Sequence, residues 1–363
     1  MPQQRILHTA IIGAGQAGLA AGYYLRHRAL DFIILDAHER TGDPWRNRWK
    51  GLRLFSPNAY NALPGRLPAG DPKALPDRLE LADYLESYAA HWRIPVRHGV
   101  TVTKCLPPEA ENAYWTILTN GEVVFAERLI VATGAYRTPA VPETVAETFP
   151  ADIKQLHASE VRDVAELADE NTDVLLLGAG ASGQQLSRLF HAAGANVILA
   201  GSKVSNLPRS LLGKDIYWWL YKSGAITARV DGVAGKFLVS DKGTVTVGEP
   251  KPPKDERMQR IKTKLTGYAD GRLHFAKKKK QPETLPWPAH GRKGLVVWCT
   301  GFDNQYPFLP DSALGPDGHP LHIAGKSTTR PGLFFLGLPN LTRLNSSLVG
   351  GVGEDARRIV ESM

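Results

Sequence analysis

Cysteine is scarce in this sequence: its 363 residues include only Cys105 and Cys299. The two lie far apart and form no Cys-x-x-Cys pair, which argues against a disulfide framework, a structural zinc site and a dithiol-relay reductase. Cys299 falls inside an apolar run (295–300), so we expect a buried, unreactive thiol. The chain also lacks any run of the roughly 20 apolar residues that cross a bilayer, and residues 1–8 are too short and polar for a signal peptide. We therefore predict a cytoplasmic protein without a membrane partner.

Metal ligands and acidic charge are also in short supply. The one close histidine pair, His319 and His322, has no cluster of acidic or cysteine ligands beside it that would complete a metal site, so we predict none. Lysine and arginine (44) outnumber aspartate and glutamate (36), for a formal charge of +8. Because enzymes that bind phosphorylated cofactors also tend to carry an excess of basic residues, this charge does not by itself indicate nucleic acid, and we predict no nucleic-acid partner. The densest basic run, 277–280, is interpreted as a solvated loop rather than a binding patch.

What the sequence does contain is two glycine-rich fingerprints about 165 residues apart. The first is Gly13-Ala14-Gly15-Gln16-Ala17-Gly18, and the second is Gly178-Ala179-Gly180-Ala181-Ser182-Gly183. Each follows an apolar run and predicts a buried strand, a tight turn and a helix (19–26 and 184–193). The glycines respectively make the turn, let backbone approach a pyrophosphate and let the helix pack on the strand. Two such units indicate two dinucleotides held face to face, as hydride transfer between a flavin and a nicotinamide requires.

An acidic residue follows the next predicted strand. The run 32–35 ends in Asp36, 23 residues after Gly13. This is near the spacing of a carboxylate that accepts the ribose hydroxyls of an adenosine, and we predict that role for Asp36. Residues 41–57 are rich in turn formers and aromatics and predict a loop that wraps a cofactor. Beyond it, the pattern predicts a helix at 78–91 and strands at 100–104, 114–119, 123–125 and 128–131.

The second half repeats this plan. A strand at 196–200 follows the second fingerprint, residues 230–293 are charged and weakly periodic, and 294–301 again read as an apolar strand. The last strand (332–337) and the terminal helix can bury an apolar face only against the first half. We therefore predict an α/β protein with two Rossmann-like dinucleotide-binding domains, the second inserted in the first. One domain comprises residues 1–145 and 302–363, and the other comprises residues 146–301.

Several short motifs carry a family resemblance through their order and spacing. They are the two fingerprints, Gly42-Asp43-Pro44-Trp45, the loop 52–57, the paired turns Ala132-Thr133-Gly134 and Cys299-Thr300-Gly301, and the tail 348–355. Over essentially its whole length the sequence resembles the compact bacterial flavin-containing monooxygenases. These are relatives of plant indole-pyruvate monooxygenases and Baeyer–Villiger enzymes.

The resemblance implies FAD in the first domain and NADPH or NADH in the second. The nicotinamide cofactor would reduce FAD, and O2 would then give a C4a-hydroperoxyflavin that oxygenates a small sulfide, amine or ketone. The residues implied to contact FAD are Gly13, Gly15, Gln16, Ala17, Gly18, Asp36, Trp45, Arg53, Ser56, Val102, Thr133 and Gly134. Those implied to contact NAD(P)H are Gly178, Gly180, Ser182, Gly183, Ser202, Lys203, Arg209, Thr300 and Gly301.

The chain departs from the family pattern near the expected site. Of the motif Phe-x-Gly-x-x-x-His-x-x-x-Phe/Tyr it keeps only His157, with the other three positions filled by Ala151, Ile153 and Val161. Phe55 stands where the eukaryotic-type branch has an active-site Asn. Asn58 or Asn345 is a candidate replacement, and a turn-forming role is the alternative for each. No catalytic side chain is assigned, because the flavin carries the chemistry.

The end of the strand 196–200 bears on the choice of nicotinamide cofactor. NADPH-using relatives place an Arg where Ser202 falls, and here Lys203 or Arg209 would have to supply the charge that pairs with a 2′-phosphate. No acid stands there to repel a phosphate, as a strict NADH enzyme would have. We predict NADPH with NADH tolerated, and a solvated Lys203 is the alternative.

The main hypothesis is an FAD-dependent, NAD(P)H-consuming monooxygenase whose partners are O2 and a small apolar substrate. Two alternatives remain open: an NAD(P)H:acceptor oxidoreductase of the quinone type, and a non-catalytic flavin redox sensor. The substrate site is expected between the domains, lined by Phe55, Tyr60, Tyr217, Trp218, Trp219 and residues 341–345. The pair Trp218-Trp219 could instead form a packed helix face. A homodimer is the commonest default, and the sequence leaves the oligomeric state open.

Overall fold

A computed structural model describes residues 5–109, 113–202, 204–233, 235–236, 245–250, 252–303 and 305–363. The strands within these residues, in chain order, are β1 (Ile6–Ile12), β2 (Phe32–Leu35), β3 (Val96–Arg97), β4 (Val102–Leu106), β5 (Trp115–Thr119), β6 (Val123–Val131), β7 (Thr138–Pro139), β8 (Lys154–His157), β9 (Thr172–Leu177), β10 (Asn196–Ala200), β11 (Ser205–Leu207), β12 (Ser210–Leu211), β13 (Lys214–Asp215), β14 (Val245–Val247), β15 (Met258–Ile261), β16 (Leu265–Ala269), β17 (Arg272–Phe275), β18 (Thr284–Pro286), β19 (Lys293–Trp298), β20 (Phe302–Asp303), β21 (His322–Ile323), β22 (Lys326–Ser327) and β23 (Leu333–Phe335).

The described α-helices are α1 (Gln16–His27), α2 (Asp43–Arg46), α3 (Arg78–His91), α4 (Glu143–Ala146), α5 (Ala181–Ala192), α6 (Ile216–Lys222) and α7 (Val352–Glu361). Single 3-10 turns occur at Asn58–Tyr60, Val164–Glu166 and Asp311–Ala313. Within the described residues, no helix combines the length and the apolar character that a membrane span requires.

The first fingerprint belongs to a nine-stranded sheet of order β21-β22-β23-β6-β1-β2-β3, with β5 and then β4 added on a branch from β6. Strands β23, β6, β1, β2 and β3 run parallel. Every residue of β2 and the last four of β1 are buried, as expected of parallel strands covered on both faces. Helix α1 contacts both α3 and α7, so the C-terminal helix does return to the first sheet.

Strand β6 was predicted as two strands, 123–125 and 128–131, and is one. Its first half alternates in burial and pairs antiparallel with β5. Its last three residues are all buried and lie between β1 and β23. The change from an alternating to a continuous apolar pattern reflects this change of neighbours within a single strand.

The second fingerprint belongs to a five-stranded parallel sheet of order β15-β10-β9-β19-β8. Its two edge strands, Lys154–His157 and Met258–Ile261, escaped the sequence-based assignment because they are short and half polar. The short antiparallel pair of β7 with β20 lies where the chain passes between the two sheets. The predicted α/β class with two dinucleotide-binding units is confirmed, while the proposed boundaries at 145/146 and 301/302 stay a prediction.

Candidate dinucleotide sites and the cleft between them

The two fingerprint turns have the same geometry. Gly13 has a φ of 105° and Gly178 a φ of 115°, in the left-handed region that favours glycine. A Cβ at Gly13 would lie 2.6 Å from the Ala132 carbonyl oxygen, and a Cβ at Gly178 would lie 2.2 Å from that of Cys299. Each turn therefore fits only glycine. The Gly13 and Gly178 amides donate 2.8 Å hydrogen bonds to the last residues of β2 and β10 respectively, so the repeats match in register.

The third glycine of each fingerprint sits where helix meets turn. A Cβ at Gly18 would lie 1.9 Å from the Gly13 carbonyl oxygen, and a Cβ at Gly183 would lie 1.9 Å from that of Gly178. These are backbone atoms that cannot rotate away. Without glycine, the helix would have to move off the strand in both repeats.

The middle glycine of the first fingerprint faces open space. A Cβ at Gly15 would meet no protein atom within 4 Å. The first backbone hydrogen bond of α1 runs from Leu19 to Gly15, so the preceding amides, including those of Gln16 and Ala17, have no acceptor within the helix. Free amides beside open space at a helix N-terminus are what a pyrophosphate binds, and this corner fits that part of FAD.

Asp36 lies against this corner. Its Oδ2 accepts a 2.6 Å hydrogen bond from the Ala14 amide, and its Oδ1 accepts bonds of 2.8 Å from the His38 amide and ring Nδ1. Burial acts to raise the pKa of Asp36, but these hydrogen bonds outweigh it and the pKa lies below its ordinary value. The same ring contact raises the pKa of His38. Asp36 is therefore charged at neutral pH, and its stabilising contribution is lost only as pH falls through that lowered pKa.

We expect Asp36→Asn to weaken FAD binding by about tenfold, because a ribose hydroxyl loses a charged acceptor while the amide oxygen still accepts from the Ala14 amide. Titration of the apoprotein with FAD, followed by flavin fluorescence, measures the effect. The matched control is Asp31→Asn, which removes an exposed carboxylate that pairs with Arg5 and should leave the affinity within about twofold. Unchanged affinity in Asp36→Asn would contradict the ribose role.

The other residues predicted to contact FAD fall into two groups. Close to the fingerprint, the Thr133 Cα is 3.3 Å from a Cβ built on Gly13, Gly134 has a φ of 74°, and the backbone just before Val102 bonds to Asp36 through the Val100 amide. Farther along, Arg53 donates to the Leu75 carbonyl and Ser56 to the Asn61 side chain, so both order their own loop. Trp45 lies on α2, where a loop was expected.

In the second repeat, whose residues are predicted to contact NAD(P)H, the Thr300-Gly301 turn follows β19 and is bonded to neighbouring residues. The Thr300 hydroxyl donates to the Ala140 carbonyl, and the His157 Nε2 lies 3.0 Å from the Gly301 carbonyl oxygen. His157, the one retained residue of the family motif, thus fixes this turn. Ser182 and Gly183 lie in the first turn of α5, which begins after Gly180. Ser202 is exposed beyond the end of β10, and Lys203 lies outside the described residues.

The side chain of Arg209 is engaged by residues that do not belong to the end of β10. Its guanidinium pairs with Asp215 at 2.6 Å, donates to the Phe55 carbonyl at 2.7 Å and lies over the Tyr217 ring. It thereby connects the loop 52–57 to the start of α6. A role for Arg209 in binding a 2′-phosphate remains a prediction only. Sequence reasoning missed a different arginine, Arg260, whose side chain reaches the Gly201 and Ser202 carbonyls.

A cleft of about 740 Å³ opens between the loop 51–55 and α5, within the range of small-molecule sites. Gln185 on α5 crosses it by donating to the Arg53 carbonyl. The buried Gln185 Oε1 and Arg209 Nε have no hydrogen-bond partner in the described residues. Residues that line the cleft include Arg53, Leu54, Phe55, Gln185, Leu189 and Arg209.

An aromatic cluster lies beside residues 341–345, the C-terminal loop. The Tyr60 ring stacks on Tyr221 at 4.7 Å between centroids and lies 5.7 Å from Tyr217. Backbone bonds between residues 228–230 and 342–344 pair the segment that follows α6 with that loop. Trp218 and Trp219 meet edge to face on α6 and are only half-buried, so both of their predicted roles remain open.

The two asparagine candidates differ sharply in their contacts. Asn58 donates from its side chain to the Asp71 carbonyl and from its backbone to the Ala74 carbonyl, which makes it a loop-ordering residue. Asn345 is 3 % exposed and interacts with the Tyr221 hydroxyl. Its buried Oδ1 has no partner within the described part of the chain, so Asn345 retains capacity for a ligand or water.

Comparison with known proteins places this geometry in a family. Residues 10–210 match the family described as pyridine nucleotide-disulphide oxidoreductase. An uncharacterized CzcO-like oxidoreductase of Geobacillus kaustophilus is 32 % identical over 99 % of both chains. A probable indole-3-pyruvate monooxygenase, YUCCA1 of Arabidopsis thaliana, is 32 % identical over 56 % of this chain and 49 % of its own. A flavin-containing monooxygenase from Stenotrophomonas maltophilia has the same fold, with a TM-score of 0.71 and 23 % identity over 99 % of this chain and 98 % of that chain. A mutant of the flavin monooxygenase from the same organism gives a TM-score of 0.72.

These similarities agree with the two matched fingerprints. The predicted fold and oxidoreductase class are confirmed, and the family description agrees with the predicted pyridine-nucleotide cofactor. The chain belongs to the pyridine nucleotide-disulphide oxidoreductase family, and its fold is that of the flavin-containing monooxygenase from Stenotrophomonas maltophilia.

Proposed function

We propose that the protein is an FAD-dependent monooxygenase that consumes NADPH and O2 and oxygenates a small apolar sulfide, amine or ketone. The observation that carries this proposal is the pair of register-matched fingerprints. Gly13 and Gly178 have nearly equal φ angles, and a Cβ on Gly18 or Gly183 would lie equally close to the carbonyl oxygen of its turn glycine. Bound FAD would accept hydride from NADPH and activate O2 as a C4a-hydroperoxide. The side chains of this protein need only hold the cofactors, orient them and exclude water.

The cleft between loop 51–55 and α5 supports a small, largely apolar substrate. Leu54, Phe55 and Leu189 supply apolar surface, and the side chains of Gln185 and Arg209 add polar groups to the lining. A substrate with an apolar body and one polar atom matches this lining.

Of the acceptor-reductase alternatives, only reduction of a quinone remains a competing hypothesis. Both cysteines are ill suited to disulfide chemistry, because burial raises the pKa of Cys105 and of Cys299 to about 12 and leaves each thiol protonated. Reduction of a quinone requires no thiol and remains the competing activity that experiment must exclude.

The deciding experiment is anaerobic reduction of the FAD-loaded protein with NADPH or NADH, followed by rapid mixing with oxygenated buffer. A transient blue-shifted absorbance before the oxidised flavin returns would support the monooxygenase and justify a screen of sulfides, amines and ketones. Direct reoxidation without that transient would favour the quinone reductase. If neither nucleotide reduced the flavin, the result would favour the hypothesis of a non-catalytic redox sensor.

We expect Asn345→Ala to raise the fraction of NADPH that is lost as hydrogen peroxide by about threefold or more. The substitution removes a buried amide of the C-terminal loop and admits water in its place. Peroxide yield per NADPH consumed, without added substrate, measures this uncoupling. Asn58→Ala is the matched control: its amide serves the 71–74 backbone, so its peroxide yield should stay at the parent level. Equal peroxide yields from both variants would contradict a role for Asn345 in the reaction.

A further inference from the structure

The two repeats differ in charge at the position where an adenosine ribose is recognised. In each repeat the turn glycine bonds to the last residue of the second strand, so the equivalent next residues are Asp36 and Gly201. The Asp36 amide donates to Arg97 in β3 at 2.9 Å, and the Gly201 amide donates to Ile261 in β15 at 3.1 Å. The neighbouring third strands are thus also in register. The acid of the first repeat has glycine as its counterpart in the second.

The second repeat brings an arginine to this position from the next strand. Gly201 has a φ of 141°, and a Cβ built on it would lie 3.2 Å from the Ala179 amide nitrogen. Ala179 is the counterpart of Ala14, whose amide bonds to Asp36. Arg260, on β15, extends its guanidinium across the end of β10 to the Gly201 and Ser202 carbonyls.

Arg260 is bound by carbonyl oxygens rather than by a carboxylate. Its Nη1 donates to the carbonyls of Leu199 and Ile261, and its Nη2 donates to those of Gly201 and Ser202 at 2.9 and 3.0 Å. No acidic partner is found for it among the described residues. Burial lowers its pKa, but a guanidinium stays protonated at neutral pH. The converging carbonyl dipoles, which alone would repel an anion, are therefore offset and the strand end carries a net positive charge.

The basic run that sequence reasoning assigned to a solvated loop lies at the same edge. The Lys278 ammonium donates to the Lys262 carbonyl at 2.7 Å, and the Lys262 amide donates to the Gln281 side chain. Lys262 directly follows Ile261, the residue that accepts from the Gly201 amide. The run 277–280 thus adds positive potential beside Arg260.

We propose that Arg260 is the residue through which the second repeat selects a 2′-phosphorylated adenosine, with the adjoining lysines as electrostatic support. This rests on the proposed use of a pyridine nucleotide at the second fingerprint. In the first repeat, the carboxylate of Asp36 accepts ribose hydroxyls and repels a 2′-phosphate. In the second, a guanidinium anchored by four carbonyls presents the opposite charge at the equivalent place.

Direct binding to the FAD-loaded protein tests the proposal without turnover. Calorimetry compares adenosine 2′,5′-bisphosphate with AMP, which lacks only the 2′-phosphate. The parent protein should bind the bisphosphate at least about tenfold more tightly. Arg260→Gln should lose that preference and change AMP affinity by less than about twofold. Arg257→Gln, which removes a neighbouring arginine that donates to the His191 carbonyl, is the matched control and should keep both affinities.

Because Arg260 also ties down four carbonyls, Ser202→Glu provides a second variant that adds an acid on the exposed surface and disturbs no packing. It should weaken bisphosphate binding by about tenfold and spare AMP. A full preference in Arg260→Gln, or an equal loss for both ligands, would overturn the proposal, as would a Ser202→Glu protein with parental bisphosphate affinity. A parent that binds both ligands equally would overturn it while leaving the proposed function intact. A parent that binds neither would also remove the pyridine-nucleotide assignment.

Discussion

Gly15→Ala should abolish stoichiometric FAD binding while leaving the apoprotein folded. An added Cβ meets no protein atom within 4 Å, so the protein tolerates it, but it occupies the space through which a pyrophosphate reaches the free amides of α1. Loss of two charge-assisted hydrogen bonds to phosphate corresponds to a weakening of at least about a hundredfold. The free energy of unfolding of the apoprotein should fall by no more than about 1 kcal/mol, because Ala is a poorer N-cap than Gly.

Absorbance of the purified protein gives the FAD content, and urea unfolding of the apoprotein gives the stability. Gly121→Ala is the matched control: its Cβ also meets nothing within 4 Å, but it lies in the hairpin turn between β5 and β6. That variant should retain full FAD content. A yellow, stoichiometrically loaded Gly15→Ala protein would show that the pyrophosphate lies elsewhere.

The sequence predicted the centre of each sheet better than its edges. The strands next to the fingerprints are continuous apolar runs because parallel neighbours bury both faces, and those runs are visible without a structure. The edge strands Lys154–His157 and Met258–Ile261 bury only part of their side chains. Their polar residues concealed both strands, and Met258–Ile261 also lies in the weakly periodic stretch 230–293. The single strand β6 was divided for a related reason, since its two halves have different neighbours.

The position of Asp36 beside the first fingerprint was predictable because glycines and an acid at fixed local spacing encode it. Asp36 needed only its distance from Gly13. Arg260 could not be found in this way, because it reaches Ser202 only through the parallel pairing of β10 with β15. The roles of Asn58 and Asn345 were equally hidden, since they depend on whether a buried amide finds a backbone partner.

Gly183→Ala should separate the two half-reactions by leaving FAD bound and eliminating its reduction by NADPH. The added Cβ would fall 1.9 Å from the Gly178 carbonyl oxygen, so α5 must move off its strand and the second fingerprint loses its shape. The first fingerprint lies in the other sheet and keeps its own geometry. We expect the rate of flavin reduction at limiting NADPH to fall by at least about a hundredfold, while photoreduction of the flavin proceeds as in the parent.

The matched variant Gly18→Ala creates the same 1.9 Å approach in the first repeat and should instead yield protein without flavin. Ala192→Gly, at the far end of α5, is the control for weakening that helix, which costs about 1 kcal/mol, and should leave reduction by NADPH unchanged. Absorbance gives the FAD content of Gly18→Ala, and stopped-flow reduction compares Gly183→Ala and Ala192→Gly with the parent. If NADPH reduced Gly183→Ala at the parental rate, the second fingerprint would not be the nicotinamide site. Identical glycine clashes in two matched repeats should therefore give opposite phenotypes, and that contrast would tie each repeat to one cofactor.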